Sequence, residues 1–157
     1  MTFGLSTLGF VHTALSLVAL AGGLIVVGGL VAGRRLDGWT AVYFATAVAA
    51  DATGFALPRD FDIVHWLGLA MAAALLIAIL ARYWFRLAGS WRPIFAVATV
   101  ASVYVLVFFT IGEAFLRIPA LHAVAPNLTE MPFALAQIVG IVVFGGLAVV
   151  AAVRFRG

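Results

Sequence analysis

Apolar residues fill five long stretches of this chain, and the polar segments between them are short. The stretches cover 6–33, 39–57, 62–82, 93–116 and 130–153. An apolar run of about 18 or more residues reads as a membrane-spanning helix, because ~20 residues at ~1.5 Å rise cross ~30 Å of hydrocarbon. The pattern therefore predicts an all-α integral membrane bundle of five transmembrane helices, forming a single transmembrane domain over 1–157. The breaks after Gly33, Leu57 and Tyr83 are brief, so successive helices are expected to be antiparallel neighbours. The one long connection runs from Arg117 to Glu130 and carries Pro119, His122 and Pro126.

Composition supports the same picture. The chain is 66% hydrophobic and 10% charged, against about 25% charged in a soluble domain. With no cysteine, disulfides, thiolate metal sites and cysteine nucleophiles are excluded. The net charge of +3 comes from arginine alone. No basic helix or aromatic-interleaved basic patch accompanies it, so the charge is read as membrane anchoring and nucleic acid is not an expected partner. The first stretch has no basic residue before it and exceeds a signal-peptide core, so it is expected to be a retained helix.

The arginines predict an orientation. In a five-helix chain, Arg34, Arg35, Arg82, Arg86, Arg92, Arg154 and Arg156 fall on one side, and Arg59 and Arg117 on the other. The positive-inside rule makes the richer side cytoplasmic, with the N-terminus outside and the C-terminus inside. Trp39, Tyr83, Trp84 and Trp91 fall at the same inner boundary, where aromatic rings anchor helices. For a bacterial chain this describes a multi-pass protein of the cell inner membrane.

Candidate chemistry gathers near the opposite, outer side. Ionisable residues within a membrane are expensive and are functional candidates by default. They are His12, Asp51, His65 and Glu113, with Gln137 as a neutral companion. Each lies roughly 4 to 9 Å from its predicted outer helix end at ~1.5 Å per residue. A shared polar pocket is the expectation; separate interhelical hydrogen bonds or an outer water crevice are the structural alternatives. Asp51 is the deepest, sits among small residues, and is expected to find a partner, most naturally a histidine. His12 shares a stripe with Leu15, Ala19, Gly22, Val26, Gly29 and Gly33. Small residues allow close helix approach in lipid, so this stripe is expected to face the bundle.

His12 and His65 permit three further ideas: axial ligation of a haem b, a metal site completed by a carboxylate, and a proton-responsive pair. No HxxxH or ExxH spacing supports the first two. No GxSxG, HExxH or phosphate-binding glycine loop is present, so no catalytic residue is assigned and an enzyme is not the favoured reading.

Weaker patterns complete the reading. His12/His65, Arg34/Arg86 and Trp39/Trp91 recur at nearly constant spacing, as a parallel duplication of a helix pair would give. Asn127 and Glu130 have capping-box spacing for the fifth helix. Asn127-Leu128-Thr129 also matches a glycosylation sequon, a weaker pattern. The segments Thr53-Gly54-Phe55-Ala56-Leu57-Pro58 and Leu121-His122-Ala123-Val124-Ala125-Pro126, running on to Glu130, Pro132, Phe133 and Gln137, carry a resemblance. They are similar to a family of small uncharacterised bacterial multi-pass membrane proteins whose outer loop reads approximately "LAPTQSEPPF…Q" and whose second helix ends in "TGFxFP". This chain departs at Asn127-Leu128, where that pattern has Thr-Gln, and at Met131, where it has Pro. The resemblance implies an outer-side site and no activity. The leading expectation is thus a binding or accessory component with a periplasm-side polar pocket. It sits in the lipid bilayer, as a homo-oligomer or within a larger membrane complex. A haem- or quinone-binding redox protein and a proton-coupled small transporter or channel are the alternatives.

Overall fold

The computed structural model describes residues 7–57 and 62–156. The predicted turn containing Arg59 lies outside them. The described residues form helices α1 (Thr7–Val31), α2 (Asp37–Ala56), α3 (Ile63–Ile79), α4 (Trp91–Arg117), the single turn α5 (Pro119–His122) and α6 (Met131–Arg154). A π-helical turn, Leu80–Trp84, continues α3. Among the described residues there is no strand.

Four segments are long and apolar enough to cross a membrane: Thr7–Val31, Ile63–Trp84, Trp91–Arg117 and Met131–Arg154. This is the architecture of a membrane protein. The five-span expectation differs at α2. That helix has 20 residues, enough for ~30 Å at ~1.5 Å each, but Asp37, Asp51 and three threonines make it the least apolar. Its threonines are internally satisfied. Thr40, Thr46 and Thr53 donate to the carbonyls of Leu36, Val42 and Ala49, each at 2.8 Å. Such back-bonding removes the penalty of an unpaired hydroxyl in apolar surroundings.

Helices α1 to α4 form a ring in which each packs on the next and α4 closes against α1; α6 lies outside, against α4 and, less extensively, α1. The α1–α2 contact is the most extensive and the α2–α3 contact is sparse. Across the ring, the buried Tyr43 hydroxyl donates to Ser102 Oγ at 2.6 Å, and Ser102 donates to the Thr99 carbonyl at 2.8 Å. The core includes Val26, Tyr43, Leu75, Phe95, Val100 and Val103. Phe95 stands edge-on to Phe44 at 6.3 Å and packs on Phe155 at 5.5 Å, which ties the chain end to the ring. On α6, Val142 and Val153 are 68% and 72% exposed. Apolar exposure on this scale suits lipid and not water.

The expected stripe on α1 does face the bundle: Ala19, Gly22, Val26 and Gly29 are buried. Gly29 and Gly33, the last two residues of that stripe, do not pack as one helical face. Gly33 lies beyond the helix at φ +70°. Its N–H donates to Leu30 O at 3.0 Å and that of Arg34 to Gly29 O at 2.8 Å, a Schellman ending. Gly29 faces Leu36 of its own turn. Helices also approach closely at Gly23, where a Cβ would come within 2.8 Å of Val103 and 3.0 Å of the Tyr43 ring.

At the same end, Asp37 opens α2 rather than lying in a loop. It accepts from Arg35 at 3.3 Å and also from Arg82. The Arg82 side chain is only 7% exposed. Its guanidinium lies about 5.5 Å from the Tyr83 ring centroid and 5.6 Å from that of Phe95, a cation–π setting. Trp39, Tyr83 and Trp84 are exposed, whereas Trp91 stacks on Phe85 at 3.8 Å.

Candidate functional site

His12 is held against α2. Its Nδ1 lies 2.9 Å from Ala50 O and 3.2 Å from Thr53 Oγ1. A carbonyl only accepts, so Nδ1 carries the proton. Gly54 makes room for the ring: a Cβ there would come within 3.1 Å of His12 Cε1. The histidine therefore joins α1 to α2 one turn from the C-terminal end of α2.

Asp51 follows Ala50 but faces the other way, toward α3. Its Oδ1 would lie 3.5 Å from a Cβ built on Gly68, so the glycine lets α3 approach. Asp51, Val48, Ala72, Leu75, Leu76 and Ile79 line a groove of about 270 Å³. Asp51 is the polar residue of that lining. The histidine partner expected for it is not found: among the described residues Asp51 makes no hydrogen bond or ion pair. The reason is rotational. Ala50 and Thr53 turn toward α1, and Asp51 turns toward α3.

His65 is buried and serves the start of α3. Asp62 is the N-cap, accepting from Val64 N at 2.9 Å. His65 Nδ1 lies 3.3 Å from both Asp62 N and Asp62 Oδ1; it accepts from the first or donates to the second according to tautomer. Against the upward push of desolvation, the hydrogen bonds from Val64 and His65 hold the Asp62 carboxyl below its ordinary value. The ring packs on Phe55 at 5.7 Å, and Phe55 in turn covers Gly68, whose Cβ would meet it at 3.0 Å. Asp51 and His65 thus flank one α2–α3 contact without bonding to each other.

The remaining two residues stand apart. Glu113 is exposed and accepts from Arg117 Nε at 2.6 Å, an i,i+4 pair on the surface of α4. Gln137 is buried between α6 and α4, where its Nε2 donates to Phe108 O at 3.2 Å. Its Oε1 and the Tyr104 hydroxyl are buried with no partner among the described residues. The five polar groups therefore form two sets. His12, Asp51 and His65 sit along α1, α2 and α3; Glu113 and Gln137 belong to α4 and α6.

Among the described residues no group of three His, Cys, Asp or Glu is placed to hold a metal ion, and both histidines already engage Nδ1 within the protein. Residues not anticipated as part of the site are Thr53, Gly54, Phe55, Asp62 and Gly68. The Asp62-x-x-His65 spacing matches a capping box, which was the available signal. Compared with protein families, curated proteins and solved structures, the chain matches none.

The long connection also differs from expectation. Asn127 does not cap α6. Glu130 occupies the N-cap position and makes no cap hydrogen bond. Its carboxylate instead accepts from Asn127 N at 3.3 Å, Asn127 Nδ2 at 3.1 Å and Thr129 N at 3.0 Å. Against desolvation, these bonds hold the Glu130 carboxyl below its ordinary value.

Proposed function

We propose that the chain is a five-span protein of a bacterial inner membrane, a binding or accessory component whose site is the groove between α2 and α3. In this reading α2 is the fifth span, the N-terminus is outside, the C-terminus is inside, and Asp51 lies near the outer surface. Alternation supports it, since α2 must return the chain between two spans. The satisfied threonines and the seven arginines at one end agree.

The observation that carries the binding reading is the unpaired Asp51 carboxylate at the side of an apolar groove. A structural aspartate at membrane depth is expected to be paired within the protein. Every other polar side chain of α2 from Thr40 to Thr53 has such a partner. Asp51 is the exception, and it faces the sparse α2–α3 contact.

Native mass spectrometry of protein extracted from its own membrane tests this. The wild type should retain a non-covalently bound mass that Ala72→Phe, which fills the groove, loses. Identical spectra for the two proteins would overturn the proposal.

A further inference from the structure

The groove is polarised along its length. Asp51 and Gly68 stand at one end, and Val48, Ala72, Leu75, Leu76 and Ile79 continue from there toward the Arg82 end of α3. On α3 the lining from Ala72 to Ile79 covers about 10 Å at ~1.5 Å per residue. The groove thus has apolar walls with Asp51 at one end. Its volume of about 270 Å³ is just below the ~300–1,000 Å³ of drug-sized sites, so a slender ligand fits better than a broad one.

Among the described residues, the cations that make ion pairs make them elsewhere. Arg82 and Arg35 hold Asp37, and Arg117 holds Glu113. His12 directs Nδ1–H at Ala50 and Thr53. A carboxylate beside hydrocarbon keeps its charge only when that charge is compensated. An anion is repelled. A hard divalent cation needs around six oxygen ligands, and the groove provides one carboxylate. A neutral amphiphile leaves the charge uncompensated. An alkylammonium meets both demands, with N–H donors for the carboxylate and methylenes for the apolar walls.

We infer that the α2–α3 groove binds an amphiphilic primary ammonium compound, its head on Asp51 and its chain along Leu75, Leu76 and Ile79. This rests on the groove being the binding site. The probe is a dansyl group joined to an octyl chain with a terminal primary amine; the control is the same molecule with that amine acetylated. Both are titrated into the protein in nanodiscs, with empty nanodiscs subtracted.

The wild type should bind the ammonium probe about tenfold or more tighter than the acetylated one, as one partly desolvated ion pair would provide. Asp51→Asn should remove that preference while keeping the acetylated probe's affinity. Ala72→Phe should weaken both probes. Equal binding of the two probes to the wild type overturns the ammonium assignment, and this comparison needs no variant to fold. If Ala72→Phe still weakens both in that case, the groove survives as a site for neutral ligands. No saturable binding of either probe, or binding unchanged by Ala72→Phe, overturns the groove and the ammonium assignment together.

Discussion

At the scale of single residues, Gly33, Gly54 and Gly68 each use the absence of a Cβ differently. Gly33 adopts φ +70° and closes α1. A side chain there costs about 1–2 kcal/mol in the left-handed region, and its Cβ would come within 3.0 Å of Arg154 O. Gly33→Ala should therefore lower thermal stability in detergent by at least that amount; an unchanged melting curve would contradict the Schellman assignment. Gly54 has a different role, making space for the His12 ring. Gly54→Ala should displace the imidazole from Ala50 O and destabilise by ~1 kcal/mol, the usual worth of one hydrogen bond. If His12 is already replaced by Ala, the Gly54→Ala penalty should disappear. Additive losses in that double-mutant cycle would separate the two residues. Gly68 is the third, at the α2–α3 contact beside Asp51.

At the scale of elements, the helices were readable where one face is distinctive. Ala19, Gly22, Val26 and Gly29 recur at helical spacing, and α1 buries them. The ends were harder, because capping spacing does not reveal which member is the cap. Asn127 and Glu130 have the spacing of a capping box, yet Glu130 itself stands at the N-cap and collects the loop's N–H groups. Asp62 and His65 have similar spacing and do form one. The direction of Asp51 was not readable either. Small residues surround α2, so nothing in the pattern shows that Ala50 turns to α1 and Asp51 to α3. The long connection before α6 has a pH signature. The Glu130 carboxyl has a folded pKa below its ordinary value. Its contribution is therefore complete above the ordinary glutamate range and is lost as pH falls through the lowered folded value. Protection factors of the Asn127 and Thr129 amides should drop on acidification through that window, and should be low at every pH in Glu130→Gln. Protection that is independent of acid would remove Glu130 as the organiser of this loop.

At the scale of the whole molecule, the two ends of the bundle differ. The arginine-rich end is tightly built: Asp37 ties α2 to Arg82, aromatic rings surround that guanidinium, and Phe155 seals the chain end against Phe95. The other end holds the His12 contact and the His65 cap, and the α2–α3 groove runs from Asp51 toward the middle and arginine-rich half of α3. Such an arrangement anchors one side firmly and leaves a seam that starts toward the other. It was legible in outline, because the ionisable residues had already clustered by predicted depth. Depth alone could not separate Glu113 and Gln137, which belong to α4 and α6, from the three residues along α1, α2 and α3.

The claim that joins these scales is a five-span chain with the Asp51 end of its groove open to the outer surface. The chain contains no cysteine, so single-cysteine variants give an unambiguous readout. Asp51→Cys, Ser90→Cys and Ala47→Cys, the last fully buried on α2, would each be exposed to a membrane-impermeant maleimide added outside intact cells. Asp51→Cys should be labelled from outside, Ser90→Cys only after permeabilisation, and Ala47→Cys only after denaturation. Labelling of Ser90→Cys in intact cells, with Asp51→Cys protected until the membrane is opened, would contradict the account.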